Sequence, residues 1–282
     1  MYPILSVLIP TYNDYKLFLR SVKTYLNNKR IIILVSDDSD DHNEKDLIKM
    51  FCLRNNIKYF EGPRISPGEN WNNLLKKINT PFFVLNHHDE YPTNLEYLDI
   101  LNPKNIGLVV LPCSSKVGGG PTIKSFSWQQ RWFSAISMLL KNPTFNMIIA
   151  PTASLIINSK YKNILFDIKL KWFIDAEWYS RLFLKSKNDK NKIIFFPISR
   201  IISYQSKNSI TQSLKGKLKT QIIKEKEYLR SKGLLPNKLF ILLQFVFLII
   251  ITFHTKFKLV IYKMFVFLIN TTKKFMNYLF CI

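Results

Sequence analysis

Two short apolar runs separated by a segment of helical length restrict this chain more than any other feature. Ser6-Val7-Leu8-Ile9 is stopped by Pro10, and Ile31-Ile32-Ile33-Leu34-Val35 runs out at Asp37-Asp38. Between them Leu17, Leu19, Val22 and Leu26 recur close to a helical period. Continuous apolar strands joined by a crossover helix belong to parallel sheets covered on both faces. The pattern therefore predicts an α/β fold with a mostly parallel central sheet flanked by helices. Ligands of such sheets sit outside the carboxyl ends of the strands, so the polar residues that follow each strand become the candidates for function.

The same alternation continues with helices expected over 44–54 and 70–78 and strands over 57–60 and 81–85. The last of these strands runs into Asn86-His87-His88-Asp89-Glu90. A further strand is expected at 109–111, a loop at Gly118-Gly119-Gly120-Pro121, and amphipathic helices at 128–140 and 172–184. Three widely spaced cysteines, Cys52, Cys113 and Cys281, make no CxxC pair, which argues against a disulfide framework or structural zinc and for a reducing cytosol. The first residues lead directly into a strand-like run without the pattern of a secretory leader.

Charge divides the chain. Lys and Arg number 41 against 19 Asp and Glu, a net +22, and a charge of that size calls for a polyanionic partner. After Glu227 no acid remains, whereas Lys238, Lys256, Lys258, Lys263, Lys273 and Lys274 surround the apolar runs 239–253 and 259–269. A spanning helix needs ~20 apolar residues, so the tail is expected to be helical and to lie in an anionic membrane surface. Nucleic acid is permitted by the charge, but its readers interleave basic clusters with aromatics on a soluble surface; no nucleic-acid partner is expected. Residues 1–212 are expected to form the main domain and 213–282 the basic, apolar membrane-associating region.

The carboxylates at predicted strand ends differ by context. Asp89 and Glu90 stand beside His87 and His88, a setting that suits a hard divalent cation, and such a cation neutralises a diphosphate. An alcohol attacking a bond to that diphosphate needs a base within hydrogen-bond reach; Asp175 is the candidate, with Glu177 the lesser one. Each has a bland alternative. Asp37-Asp38-Ser39-Asp40-Asp41 reads equally as a solvated turn, Asp175 as decoration of a helix on which Glu177 and Arg181 pair one turn apart, Asn72 as a turn cap, and Trp71 and Trp178 as core aromatics.

In order and spacing, Ser6-Val7-Leu8-Ile9-Pro10-Thr11-Tyr12-Asn13-Asp14, Val35-Ser36-Asp37-Asp38-Ser39-Asp40-Asp41, Asn70-Trp71-Asn72, His87-His88-Asp89-Glu90 and Asp175-Ala176-Glu177-Trp178-Tyr179-Ser180-Arg181 resemble the family 2 glycosyltransferases, particularly the bacterial O-antigen and capsule enzymes. The likeness covers roughly residues 4–212 and rests on the five motifs together. It implies a GT-A fold with a nucleotide-binding half at 1–100 and an acceptor and base half at 101–212. It implies that Pro10, Thr11 and Tyr12 line the nucleotide pocket, that Asp38 reads the base edge, of uracil, and that Asp37 supports that loop. Asn72, His87 and His88 fall among the donor-binding positions. Asp89 and Glu90 inherit the metal site, for Mn²⁺ or Mg²⁺, with His87 standing where the family has the first aspartate of Asp-x-Asp. Asp175, six positions before Arg181, inherits the base. Lys207, in a segment that resembles the family's closing stretch, supplies positive charge to the β-phosphate. The QxxRW signature of processive synthases is absent, implying one sugar added per encounter by inverting displacement. The implied partners are a UDP-sugar and a lipid-linked, polyprenyl-diphosphate saccharide acceptor at the cytoplasmic face of the bacterial inner membrane. A non-catalytic homologue is the remaining alternative, motivated by His87 and Lys207.

Overall fold

A computed structural model of the chain describes residues 2–116, 123–125, 152–204 and 216–234. The first strand, β1 (Leu5–Thr11), is buried along its whole length. It pairs in parallel with β2 (Ile31–Asp37), in register from Leu5 opposite Ile31 to Thr11 opposite Asp37, and on its other side with β4 (Phe82–Leu85). Side chains alternate faces along a strand. Leu5, Val7 and Ile9 accordingly enter one core with Phe18 and Val22, while Leu8 enters the other with Trp71, Leu74 and Leu75. Each such side chain, fully buried, is worth ~1.5–3 kcal/mol, so both faces of the sheet are covered by cores of real size.

The helices start where the sequence supplies caps. The crossover helix α1 (Tyr15–Lys23) opens on Asp14, whose carboxylate accepts from the Leu17 amide, and α2 (His42–Arg54) on Asp41, which accepts from the Asn43 and Glu44 amides. Helix α3 (Pro67–Leu75) begins three residues earlier than the apolar spacing predicts. Ser66 caps it and Pro67 occupies its first turn, where a missing N–H costs nothing. Strand β3 (Lys58–Glu61) closes one edge of the sheet.

The other half of the sheet is built from β6 (Ile106–Val110), β9 (Leu155–Asn158) and β10 (Lys192–Phe195), giving the order β10-β6-β9-β4-β1-β2-β3. Strand β9 runs antiparallel to both neighbours, β4 and β6. A smaller sheet, ordered β5-β11-β7-β8, joins β5 (Glu90–Pro92), β7 (Cys113–Lys116), β8 (Ile123–Ser125) and β11 (Ile201–Tyr204). Helix α4 (Ile174–Asn188) covers the sheet with Trp178, Leu182 and Phe183.

The helix Leu218–Ser231, α5, differs from its expected place in the membrane-associating region. It packs onto the main unit, which extends to Leu235: Leu229 joins the same core and Glu225 is buried. The reason is an amphipathic pattern with a short apolar face, not a continuous apolar run. The apolar runs after residue 238, the glycine loop at 118–120, the helix expected at 128–140 and Lys207 lie outside the described residues. No helix among the described residues is long and apolar enough to cross a membrane.

Candidate active site

Strands β4, β1 and β2 are parallel neighbours, so their carboxyl ends deliver Asn86–Glu90, Thr11–Tyr12 and Asp37–Asp38 to one edge of the sheet. Asp37 is fully buried. Its Oδ1 accepts from the Thr11 hydroxyl and the Ser39 amide, both at 2.9 Å, and its Oδ2 from the Tyr59 phenol at 3.1 Å. With three donors inside the protein, Asp37 holds the loop. Pro10 and Thr11 are likewise buried within β1, and Tyr12 is more exposed, its phenol donating to Asp40 at 3.0 Å.

Asp38 is different. Among the described residues its Oδ1 accepts from the Arg64 amide alone, at 2.9 Å, and burial raises its carboxyl above its ordinary value. Gly62, which no sequence signal singled out, makes this placement feasible: a Cβ there would lie 2.0 Å from Asp38 Oδ1 and 2.9 Å from Asn70 Oδ1. Asn70 donates to the Ser36 carbonyl at 3.2 Å, while its Oδ1 is buried without a partner.

The turn after β4 is pinned by Asn86. Its amide donates to Ser21 Oγ and to the carbonyls of His87 and Glu90, and its oxygen accepts from Tyr25 at 2.6 Å. His87 packs on Trp71, ring centroids 4.8 Å apart, and burial depresses its imidazole to about 3, so it is neutral. The Nε2 atoms of His87 and His88 are both buried without a partner. One ligand atom each from His87, Asp89 and Glu90 lie within 4.8 Å of one another. Glu90 Oε2 accepts from the His87 and Ala153 amides, each at 3.2 Å. Burial raises the Glu90 carboxyl well above its ordinary value, and the charges of Asp89 and Asp175 raise it further. Acids that oppose one another's ionisation beside an orphaned imidazole nitrogen fit a divalent cation, which would relieve both costs.

Asp175 sits in the first turn of α4, and burial pushes its carboxyl up to about 7; its Oδ1 has no partner. Its charge acts on Glu90 and on Tyr179, one turn further along α4. Tyr179 is nearly inaccessible and its hydroxyl is also unpartnered, a second residue to which sequence reasoning gave no role. Asp175 thus acts on Glu90 through its charge, and on α3 Trp71 packs on His87 while the adjacent Asn70 lies across Gly62 from Asp38.

Two sequence readings are corrected. Asn72 does not present its amide to a ligand: it donates to the Phe166 carbonyl at 3.0 Å and accepts from the Phe166 amide at 2.8 Å, clamping α3 to a distant loop. Glu177 is no base. Arg181 binds both its oxygens at 2.7 Å and also donates to the Leu165 carbonyl.

The family model described as glycosyl transferase family 2 matches residues 6–183 of the 282. Among solved structures, S. aureus TarS 1–349 in complex with UDP-GlcNAc is 18% identical, with TM-score 0.54 over 74% of this chain and 61% of that one. The mannosyltransferase PcManGT from Pyrobaculum calidifontis, in complex with GDP-Man and Mn²⁺, is 13% identical, with TM-score 0.51 over 74% of this chain and 59% of that one. The chain therefore spans less than two thirds of the length of either, and at these identities the likeness shows the fold alone. No curated protein matches.

Proposed function

Because the chain belongs to glycosyl transferase family 2, we propose that it moves a single sugar, with inversion, from a UDP-linked donor to a lipid-linked saccharide acceptor. The observation that carries this reading is the group of His87, Asp89 and Glu90 at the carboxyl end of β4, whose ligand atoms lie within 4.8 Å of one another. The likeness to proteins crystallised with UDP-GlcNAc and with GDP-Man and Mn²⁺ supports the donor class.

Asp38 and the end of β1 hold the nucleoside, Asp38 accepting from the N–H edge of the base. Asp89 and Glu90, with His87 beside them, would hold a divalent cation, Mn²⁺ or Mg²⁺, which would supply charge to stabilise the departing diphosphate. Asp175 takes the proton of the acceptor hydroxyl. The hydroxyl oxygen bonds to the anomeric carbon, the bond from that carbon to the diphosphate breaks, and the nucleoside diphosphate leaves with the electron pair. One base and one stabilised leaving group suffice for a single displacement. The resemblance to the family's closing stretch assigns Lys207, outside the described residues, a positive charge for the β-phosphate.

The acid-free, lysine-rich end of the sequence supports an acceptor embedded in an anionic leaflet, each basic residue near such a surface being worth ~1 kcal/mol. We place the reaction at the cytoplasmic face of a bacterial inner membrane, in assembly of O-antigen or capsule. The test is turnover of a panel of UDP- and GDP-sugars, with Mn²⁺ or Mg²⁺, onto a polyprenyl-diphosphate saccharide. Consumption of a UDP-sugar that ceases in Asp175→Asn is expected. Failure to bind any nucleotide-sugar would leave the non-catalytic homologue standing.

A further inference from the structure

Glu225 on α5 is a carboxylate only 2% exposed, and it makes no ion pair among those seen for the described residues. Instead it faces the chain that opens α4. Oε1 accepts from the Lys171 amide at 2.7 Å and the Trp172 amide at 3.1 Å; Oε2 accepts from the Trp172 amide at 3.1 Å and the Phe173 amide at 2.8 Å. Gln221, one turn back on α5, donates to Oε1 at 2.6 Å. Phe173 is the cap residue of α4 and offers no side-chain cap of its own. The amides at this helix start are answered by a residue some fifty positions away, and the positive end of a helix favours a carboxylate over any neutral acceptor.

Burying an ion without a counter-ion is expensive unless every lone pair is used. Anchoring α5 does not require it, because Leu229 is buried in the core and Asp167 binds both the Tyr228 phenol, at 2.9 Å, and Lys232. What Glu225 adds is a hold on the three backbone amides of Lys171–Phe173, and Asp175 follows two residues later.

We propose that Glu225 is a positioning residue for the reaction, holding the start of α4 so that Asp175 meets the acceptor hydroxyl in the reactive geometry. The inference rests on Asp175 being the base. It also makes α5, the last described helix before the basic apolar end of the chain, part of the apparatus that sets the base. Reactive groups displaced by about 1 Å lose roughly 100-fold in rate, so small movements of this backbone matter.

The experiment compares Glu225→Gln, Asp167→Asn and Asp175→Asn in the full chain, using whichever of UDP-GlcNAc, UDP-glucose, UDP-galactose and GDP-mannose the wild type consumes. Glutamine keeps the volume but turns an NH2 group toward the backbone amides. Glu225→Gln is expected to lower kcat roughly 10- to 100-fold with the donor KM within about twofold of wild type, and to speed hydrogen exchange at residues 171–173. Asp167→Asn, which weakens the Oδ2 contacts to Tyr228 and Lys232 on α5 but keeps an Oδ1 able to accept from the Lys169 amide at 3.1 Å, is expected to lower Tm and keep kcat. Wild-type kcat in Glu225→Gln, or an equal loss of kcat in folded Asp167→Asn, overturns the proposal. An inactive Asp175→Asn beside an unimpaired Glu225→Gln sinks this inference alone, whereas wild-type turnover in Asp175→Asn sinks the base on which it rests. If the wild type consumes none of the four, unchanged exchange at 171–173 in Glu225→Gln still overturns the clamp.

Discussion

Arg181 grips both carboxylate oxygens of Glu177, each at 2.7 Å, one turn away on the same face of α4. The pair occupies the guanidinium completely enough that it also closes on the Leu165 carbonyl, tying the helix to the loop beside it. Asp175, a neighbour in sequence, is outside this arrangement, and its Oδ1 stays unpartnered. Two acids separated by one residue therefore carry different duties. Asp175→Asn is expected to cut turnover by ~10²–10⁴, the range for removal of a general base, while nucleotide binding persists. Glu177→Gln is expected to leave turnover per folded molecule near wild type and to lower stability by about 1–3 kcal/mol. Steady-state kinetics and denaturant midpoints on the two variants separate these outcomes.

Burial lifts the Asp175 carboxyl to about 7, against about 3.9 in an unfolded chain. Between those values the folded chain keeps a proton that the unfolded chain has released, so stability falls as pH rises through the window. In EDTA, thermal melts of the wild type are expected to fall from pH 5 toward pH 8 relative to Asp175→Asn, which lacks the titrating group. The variant should be the more stable protein above pH 7 and the two should converge below pH 4. Turnover follows the opposite sign, because only the deprotonated acid accepts the acceptor proton. Parallel melting curves for the two proteins would exclude a raised carboxyl.

The donor set of His87, Asp89 and Glu90 comprises two carboxylates and one imidazole nitrogen, one negative charge fewer than three carboxylates. Imidazole suits Mn²⁺ better than Mg²⁺. Chelation is expected to abolish transfer, and Mn²⁺ to restore it at lower concentration than Mg²⁺. His87→Asp should narrow that gap, and titration of bound Mn²⁺ by its paramagnetic signal reads the same preference without turnover.

Gly62→Ala probes the nucleoside end. The added methyl would stand 2.0 Å from Asp38 Oδ1, so the carboxylate must move. The donor KM should rise while kcat changes little, the signature of lost ground-state binding. Asn72→Ala is the contrasting case: it strands the Phe166 N–H and carbonyl, costs about 1–3 kcal/mol, and should leave the donor KM unchanged.

The sequence made the first half of the sheet legible because β1 and β2 are unbroken apolar runs with a periodic helix between, and nothing else satisfies that pattern. Asp37, Asp38, Asp89 and Asp175 were likewise visible as acids at element ends. Strand β9 and the small sheet were not: Leu155–Asn158 is too short to tell from a buried helical turn without a neighbouring periodic helix, and the three- and four-residue strands of the small sheet mix polar and apolar residues. Asn72 was misread because its partner lies ninety-four positions away, beyond any local rule. Gly62 and Glu225 escaped for the same reason. A glycine needed for closeness to Asp38, and an acid needed for three amides preceding α4, have meaning only after the chain has closed on itself.

Reversal of β9 leaves a topological opportunity. The carboxyl end of β6 at Val110 and the amino end of β9 at Leu155 lie on the same rim as the reactive groups, since the two strands pair there in opposite directions. Of the stretch between those points, the described strands β7 and β8 join the smaller sheet. Insertions or deletions between β6 and β9 therefore enter on that rim, while the seven-stranded frame and its register remain untouched.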